Sequence, residues 1–333
     1  MQLRRAEAEV SERPANDGYR GRVQRLSKRE GCSARFQYVP SMANQTWRVG
    51  DVKITKLVEV EFTFPSENAG KIVPDADPTS VLAIPWIGPF ATPEGKLRGS
   101  VHFLLVQTRS ARIIVDTGIG NDKTRDLPLF SMRTTPVLDV LQDAGWSRES
   151  VDHVICTHLH LDHVGWNTIR RDDKWVPTFP NAVYHFGGRD YEYFDASTSP
   201  ARRAMFADSI TPVVIANLAS FYVPGTVAVP ELTADPTPGH TPGQHSLIVQ
   251  SRGERIVIGG DVMHHPCQIA RPEWSSDLDD DANAAEVTRR AFLDKLADTG
   301  TLLIGTHFAG PTAGRIMREG TAYRFEPDAG GEA

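Results

Sequence analysis

Three of the chain's eleven histidines, His158, His160 and His163, fall within six residues, and Asp162 stands among them. On an extended backbone positions 158 and 160 point to one side, and a tight turn after them lets Asp162 and His163 face the same space. Imidazole and carboxylate donors gathered at one strand end suit Zn²⁺ or a related divalent ion. Completing partners lie downstream: His240 in Thr237-Pro238-Gly239-His240-Thr241-Pro242-Gly243, Asp261 in Gly259-Gly260-Asp261, and His307 in Gly305-Thr306-His307. Each follows or flanks a strand-like run and sits beside glycine, where backbone turns sharply. The set amounts to five histidines and two aspartates, enough for two metals with a shared carboxylate. Two ions about 3.5–4 Å apart can hold a hydroxide and polarise an acyl or phosphoryl oxygen.

The elements that must carry these residues are legible as alternating strands and helices. Val52–Val58 alternates as a half-buried strand, and the apolar runs His102–Val106 and Arg112–Val115 follow, the second ending in Asp116-Thr117-Gly118-Ile119-Gly120. Thr135-Pro136 opens a helix through Ala144, closed by Gly145. Strand-like Val154-Ile155-Cys156 runs directly into Thr157 and His158. Short helices are expected around Arg189–Phe194 and Pro200–Phe206, and strands at Ser246–Val249 and Arg255–Ile258. A helix is expected over Ala284–Ala297, and Leu302-Leu303-Ile304 reads as the last strand. Residues 64–99 form a long Pro- and Gly-rich segment in which Trp86, Ile87 and Phe90 could either line a substrate pocket or pack as a covering loop. No repeat is visible, so the chain reads as one α/β domain with an N-terminal arm.

Here the sequence resembles the metallo-β-lactamase superfamily. His158-x-His160-x-Asp162-His163 looks like its signature motif, and His240, Asp261 and His307 fall in the order that family uses. Asp116 resembles the early aspartate that supports the site from behind. The resemblance covers about residues 47–318. It implies an αβ/βα sandwich, two facing mixed β-sheets flanked by helices, with the metals at one edge. It also implies that His158, His160 and His240 hold one metal, that Asp162, His163 and His307 hold the other, and that Asp261 bridges them. The nucleophile would be a hydroxide held between the two ions. Zn²⁺ is the default, while Mn²⁺, Fe²⁺ or Co²⁺ suit the same donors.

Within that superfamily, true β-lactamases usually lack the bridging aspartate present here as Asp261. Flavodiiron proteins carry glutamate where this chain has His160. Glyoxalase-II-like thioesterases append a helical domain after the last histidine ligand, whereas 26 residues follow His307 here. RNA-processing nucleases need a basic surface or an added domain. The segment Thr237–Leu247 is similar to the pattern in quorum-quenching lactonases, the branch shared with methyl-parathion-hydrolase-like esterases. One departure separates the two. The best-known lactonases carry tyrosine three residues after the bridging aspartate, and this chain has His264 there, closer to the methyl-parathion-hydrolase-like pattern. The resemblance therefore implies a lactone or carboxylic ester as substrate, with an organophosphate triester or aryl ester as the alternative. Asp162 and His264 are the candidate catalytic side chains. His264 or its neighbour His265 could donate a proton to the leaving alkoxide, since imidazole titrates near neutrality. His102, His153, His185 and His245 read as structural, and Cys156, in an apolar strand, as an inert buried thiol.

The composition agrees with a globular enzyme: 333 residues, 40% hydrophobic and 23% charged, which places the chain outside the disordered and fibrous classes. Residues 1–41 hold nine Lys/Arg against five Asp/Glu, so +4; with −6 for the whole chain, the rest carries −10. A body of that sign repels phosphate backbones, so no nucleic-acid partner is expected. Residues 1–41 lack an apolar period and are expected to be a disordered basic extension, the domain beginning near Met42 and running to 333. No apolar run approaches the ~20 residues of a membrane span, and no signal-like segment opens the chain. Three widely spaced cysteines offer no disulfide framework, which points to a cytoplasmic protein. The expected partner is a small-molecule ester or lactone, and a homodimer is left open.

Overall fold

The computed structural model describes residues 45–64 and 72–332. The expectations for residues 1–41 and for a start at Met42 lie outside the described residues.

β1 (Gln45–Val49) and β2 (Val52–Thr63) form a hairpin turned at Gly50, whose φ of +52° is left-handed. β3 (Arg98–Gln107) and β4 (Arg112–Val115) extend the sheet antiparallel. Ahead of β3 in the chain, α1 (Pro78–Leu82) puts Val81 into a core with Val257 and Leu303; after β4, α2 (Val137–Asp143) leads to β5 (His153–Ile155), parallel to β4. A small hairpin of β6 (Thr168–Arg171) and β7 (Lys174–Pro177) precedes β8 (Val183–Gly187), parallel to β5. Helices α3 (Gly188–Asp195), α4 (Pro200–Ser209) and α5 (Thr211–Ile215) lead to the edge strand β9 (Ala219–Tyr222).

The chain then builds a second sheet from β10 (Gly225–Thr226), β11 (Leu232–Pro236), β12 (His245–Ser251) and β13 (Glu254–Ile258), all antiparallel. After α6 (Cys267–Ala270) and α7 (Ala282–Leu296), β14 (Leu302–Ile304) joins parallel to β13. β14 is not the last strand. β15 (Ala313–Glu319) and β16 (Ala322–Asp328) continue the second sheet, and β17 (Gly331–Glu332) returns to pair with β1 of the first, Gln45 opposite Glu332. Charged residues such as Arg315, Arg318, Arg324 and Glu326 break the apolar runs there. The period of two survives in buried Ile316, Tyr323 and Phe325.

Alternation sorts the strands into four layers. Ile54, Leu104, Ile113 and Val115 of the first sheet meet Leu247, Val249, Ile256 and Ile304 of the second in the central core. Their neighbours Leu105, Ile114 and Val154 turn outward to Leu141, Phe194 and Phe206 of the helices over the first sheet. Val257 and Leu303 likewise meet Phe292, Leu293 and Leu296 of α7. This is the expected αβ/βα sandwich. Ile87 and Phe90 belong to that outer core, Phe90 packing on Phe325 at 5.7 Å, so they are buried packing and not pocket wall.

Two of the parallel pairs, β4 with β5 and β13 with β14, end at the same rim. The residues following them are Asp116, His158, Asp261 and His307. Open α/β sheets present their ligand sites beyond such carboxyl ends.

Candidate metal centre

Asp116 leaves β4 with φ +54°, a strained conformation for a non-glycine residue that aims its carboxylate at the neighbouring strand end. Its Oδ1 accepts the Thr157 amide at 2.8 Å, and its Oδ2 accepts the Thr157 hydroxyl and His163 Nδ1, both at 2.9 Å. The turn it supports closes with His163 N–H donating to His160 O at 3.0 Å. Buried Asp190 ties this turn to the next ligand segment, accepting Leu159 N at 3.1 Å and Gly243 N at 2.8 Å. Burial pushes Asp190 up to about 6. Asp261 follows β13 and accepts from Thr306 Oγ1 at 2.8 Å, while its amide donates to Gln244 Oε1 at 3.2 Å. His307 is clamped twice by Ser100, whose N–H reaches His307 O at 3.0 Å and whose carbonyl accepts His307 Nδ1 at 2.9 Å.

These segments bring all seven sequence-predicted residues together. His158, His160 and His240 form one group and Asp162, His163 and His307 another, the donor atoms of each within 4.8 Å of one another. Asp261 Oδ2 stands between them, 3.1 Å from His307 Nε2, 3.3 Å from His163, 3.4 Å from His240 and 3.8 Å from His158.

The outer partners decide which ring nitrogen faces inward. Carboxylate and carbonyl oxygens only accept, so His163, His240 and His307 donate Nδ1–H to Asp116, to Asp279 Oδ1 (3.0 Å) and to Ser100 O. The Thr157 hydroxyl is already donating to Asp116, so it accepts from His158 Nδ1 at 3.1 Å. In the neutral rings all four Nε2 lone pairs then point inward, the arrangement that outer hydrogen bonds give to metal-binding histidines. His163 Nε2 and His307 Nε2 face each other at 3.1 Å, and His160 Nδ1 lies 2.8 Å from His240 Nε2 and 3.1 Å from His158 Nε2. Lone pairs at that spacing repel unless positive charge stands between them. The donor set therefore fits a pair of divalent ions.

The titration tendencies express the same demand. Burial holds His158 and His160 well below the ordinary histidine value, which favours their neutral rings. Burial acts the same way on His163 and His307, but nearby carboxylates outweigh it and raise them: Asp261, Asp116 and Asp162 for His163, Asp261 for His307. Burial resists the charge on Asp261, yet His307, His163 and His158 hold it well below the carboxylate range.

His264 is buried with Nε2 3.4 Å from Asp261 Oδ2, its ring stacked parallel to His307 at 5.9 Å. Neither ring nitrogen has a hydrogen-bond partner among the described residues. Burial pushes it down to about 3, leaving a neutral imidazole whose N–H is available. His265 is different: its Nε2 donates to Phe90 O at 2.9 Å and its Nδ1 accepts Cys267 N at 3.1 Å. Both nitrogens hold the fold, and His265 has none left for a reaction. His185 pairs with His153 at 3.1 Å on the first sheet, outside the groups above. Cys156 is fully buried, its thiol pushed well up by burial.

Four supporting residues escape sequence reasoning. Asp279 sits in an acidic run, Asp190 in an ordinary helix and Arg289 on an amphipathic one, and only folding shows what they touch. Glu59 left a signal, a carboxylate inside an apolar strand. It sits at the β2 bulge between Val58 and Val60 and accepts Ile119 N at 2.6 Å, Gly120 N at 3.2 Å and Trp166 Nε1 at 2.9 Å. A bulge re-aims a side chain in this way. Gly118, at φ +58°, must lack a side chain because a Cβ there would meet Glu59 Oε2 at 2.1 Å.

Comparison with known proteins places this architecture. An N-acyl homoserine lactonase of Bacillus cereus is 25% identical over 180 residues, 50% of this chain and 65% of the lactonase, so the match spans somewhat under two-thirds of that relative. Among solved structures, AidC, a dizinc quorum-quenching lactonase, superposes with a TM-score of 0.72 at 22% identity over 86% of this chain and 97% of its own. The hydrolase AbOPH of the beta-lactamase superfamily also gives 0.72, at 24% identity over 87% of this chain and 99% of its own. These two likenesses are of fold. The family description "Metallo-beta-lactamase superfamily" matches residues 97–307, a span that holds every residue of the two histidine groups together with Asp116 and Asp261, and the chain belongs to that superfamily.

Proposed function

We propose that this chain is a dinuclear-metal-dependent hydrolase that cleaves a lactone or another carboxylic ester, with residues 42–333 as the unit responsible. What supports this most directly is the position of Asp261 Oδ2 between two groups of inward-facing imidazoles. In this assignment His158, His160 and His240 hold one ion, Asp162, His163 and His307 the other, and Asp261 both. Zinc is the first choice, and manganese, iron or cobalt suit the same donors. When bound, such ions supply Lewis acidity toward the ester carbonyl and lower the pKa of water.

The chain's own residues supply position and hydrogen bonds. Asp162, with its side chain 17% exposed against 3% for Asp261, is the more accessible carboxylate and in this assignment orients the attacking water. His264 offers a neutral N–H to the leaving oxygen, as a buried neutral imidazole can. The partner is a small molecule, and the buried thiols Cys156 and Cys267 suit a cytoplasmic setting. No helix among the described residues is long and apolar enough to cross a membrane.

A panel of lactones, aryl esters, phosphotriesters and a β-lactam, assayed on metal-quantified protein, tests the proposal. Two equivalents of metal and fastest turnover of lactones are expected. A stoichiometry that stays at one with full activity would sink the dinuclear assignment. Fastest turnover of phosphotriesters or aryl esters would favour the second reading, which rests on His264 standing where lactonases have tyrosine.

His264 separates these substrates further. Burial removes the imidazolium form expected from sequence, so His264 can donate a hydrogen bond rather than transfer a proton: a leaving alkoxide concentrates its charge and gains much from that bond, whereas a nitrophenolate gains little. His264→Ala is expected to slow aliphatic lactones by on the order of 10²-fold while sparing activated aryl esters, with metal content unchanged. Equal losses on both, metal retained, would assign His264 to positioning instead.

A further inference from the structure

We propose that Arg289 and Asp279 form one buried brace that sets the two ligand segments of His240 and Asp261 relative to each other; this rests on the metal-centre assignment above. Arg289 is fully buried on α7, the helix connecting β13 to β14. Its guanidinium is spent on four acceptors. Nε donates to Val262 O at 2.9 Å, Nη1 to Pro272 O at 2.7 Å and Trp274 O at 3.0 Å, and Nη2 lies 3.4 Å from Asp279 Oδ2. Val262 is the residue after Asp261. Asp279 Oδ1 in turn accepts His240 Nδ1 at 3.0 Å, and its other oxygen accepts Ser276 N at 2.9 Å. One planar cation thus touches the backbone beside the shared carboxylate and, through one carboxylate, the ring of a ligand from the other segment.

Independent contacts from the same helix and from the two residues that lead into it reinforce this. Thr288 Oγ1 donates to Pro238 O at 2.6 Å, and the Asp280 and Asp281 amides donate to His240 O and Gly239 O, each at 3.0 Å. Gly239, at φ +135°, lies so close to α7 that a Cβ would meet Ala285 N at 2.3 Å. The His240 turn is therefore seated on α7, and Arg289 carries that placement to Asp261. Arg suits the task because its fork reaches several acceptors at fixed angles, which a lysine ammonium cannot reproduce.

Arg289 and Asp279 are positioning residues, and the test reads metal and not turnover alone. Cobalt is titrated into metal-free wild type, Asp279→Asn, Arg289→Lys and Arg289→Met, with chelator competition for affinity and the visible cobalt bands for ligand geometry. Asp279→Asn is expected to weaken one of two cobalt equivalents by roughly 10–100-fold and shift its bands, leaving the other unchanged. Arg289→Lys and, where it folds, Arg289→Met are expected to weaken both. Leu141→Ala, in the core over the opposite sheet, serves as a control for general destabilisation and is expected to bind cobalt as wild type does. Wild-type affinities and bands in Asp279→Asn and Arg289→Lys would overturn the brace alone. Losses in Leu141→Ala equal to theirs would do the same, marking the effect as general. Failure of wild type to take up cobalt would overturn the metal-centre assignment and the brace with it.

Discussion

Asp261→Ala is expected to strip both metal equivalents and to reduce hydrolysis by more than ~100-fold, the upper end of what losing a ligand's outer partner costs. The size follows from geometry: one oxygen, Asp261 Oδ2, lies within 3.1–3.8 Å of nitrogens from both histidine groups. Asp116 and Asp279 cannot replace it, because they are occupied behind His163 and His240, and Asp162 approaches His163 and His307 and so serves one group alone. His158→Ala, by contrast, removes a donor from one group and should disturb mainly that equivalent. Elemental analysis of the two variants, loaded identically, checks the contrast. Two retained equivalents in Asp261→Ala would mean that this carboxylate is not shared.

Glu59→Ala is expected to be the most destabilising single change near the site. Its carboxylate satisfies three buried donors, Ile119 N, Gly120 N and Trp166 Nε1. Orphaned buried donors cost roughly 1–3 kcal/mol each, so a loss on the order of 4 kcal/mol is expected. For a domain of this size that is a fall in Tm of roughly 10 °C. Burial raises the Glu59 pKa, opposed by its hydrogen bonds from Ile119 and Trp166, so its carboxylate depends on these donors as much as they depend on it. Glu59→Gln keeps one acceptor oxygen but sets an amide N–H against the remaining donors, and an intermediate loss is expected. Urea and thermal unfolding of the three proteins measure the losses in free energy and in Tm. A wild-type Tm in Glu59→Ala would show that water satisfies the exposed amides.

That these seven residues gather at one place was legible because each sits where a strand ends and the backbone turns. His158, His160, Asp162 and His163 fall within six residues, and Asp261 and His307 each stand three residues past an apolar run, in glycine-containing turns. Such placement is written locally, so a linear reading finds it. What surrounds the ligands is not local. Arg289 meets Val262 across 27 positions and Ser100 meets His307 across 207, and neither residue type announces such a partner. The β15–β16 hairpin escaped for another reason. Its outer face is charged, so the apolar signal of a strand is halved, and only buried Ile316, Tyr323 and Phe325 keep the alternation. His264 is marked in sequence by its place three residues after Asp261, but its neighbour His265 stays an alternative donor there, and only the contact with the Phe90 carbonyl removes it.

The pairing of β17 with β1 carries a consequence for connectivity. Gln45 and Glu332 are partners across one ladder, so the first and last described stretches of chain finish side by side. A short linker could join them, and the exposed β12–β13 turn at Arg252-Gly253 could be opened in exchange, as circular permutation allows where termini adjoin and a loop is solvated. In such a rearranged polypeptide Asp261 and His307 would precede His158, yet every strand would keep its neighbours. The linear order of these residues is thus not a requirement of the site, which needs only that the same rim receive them.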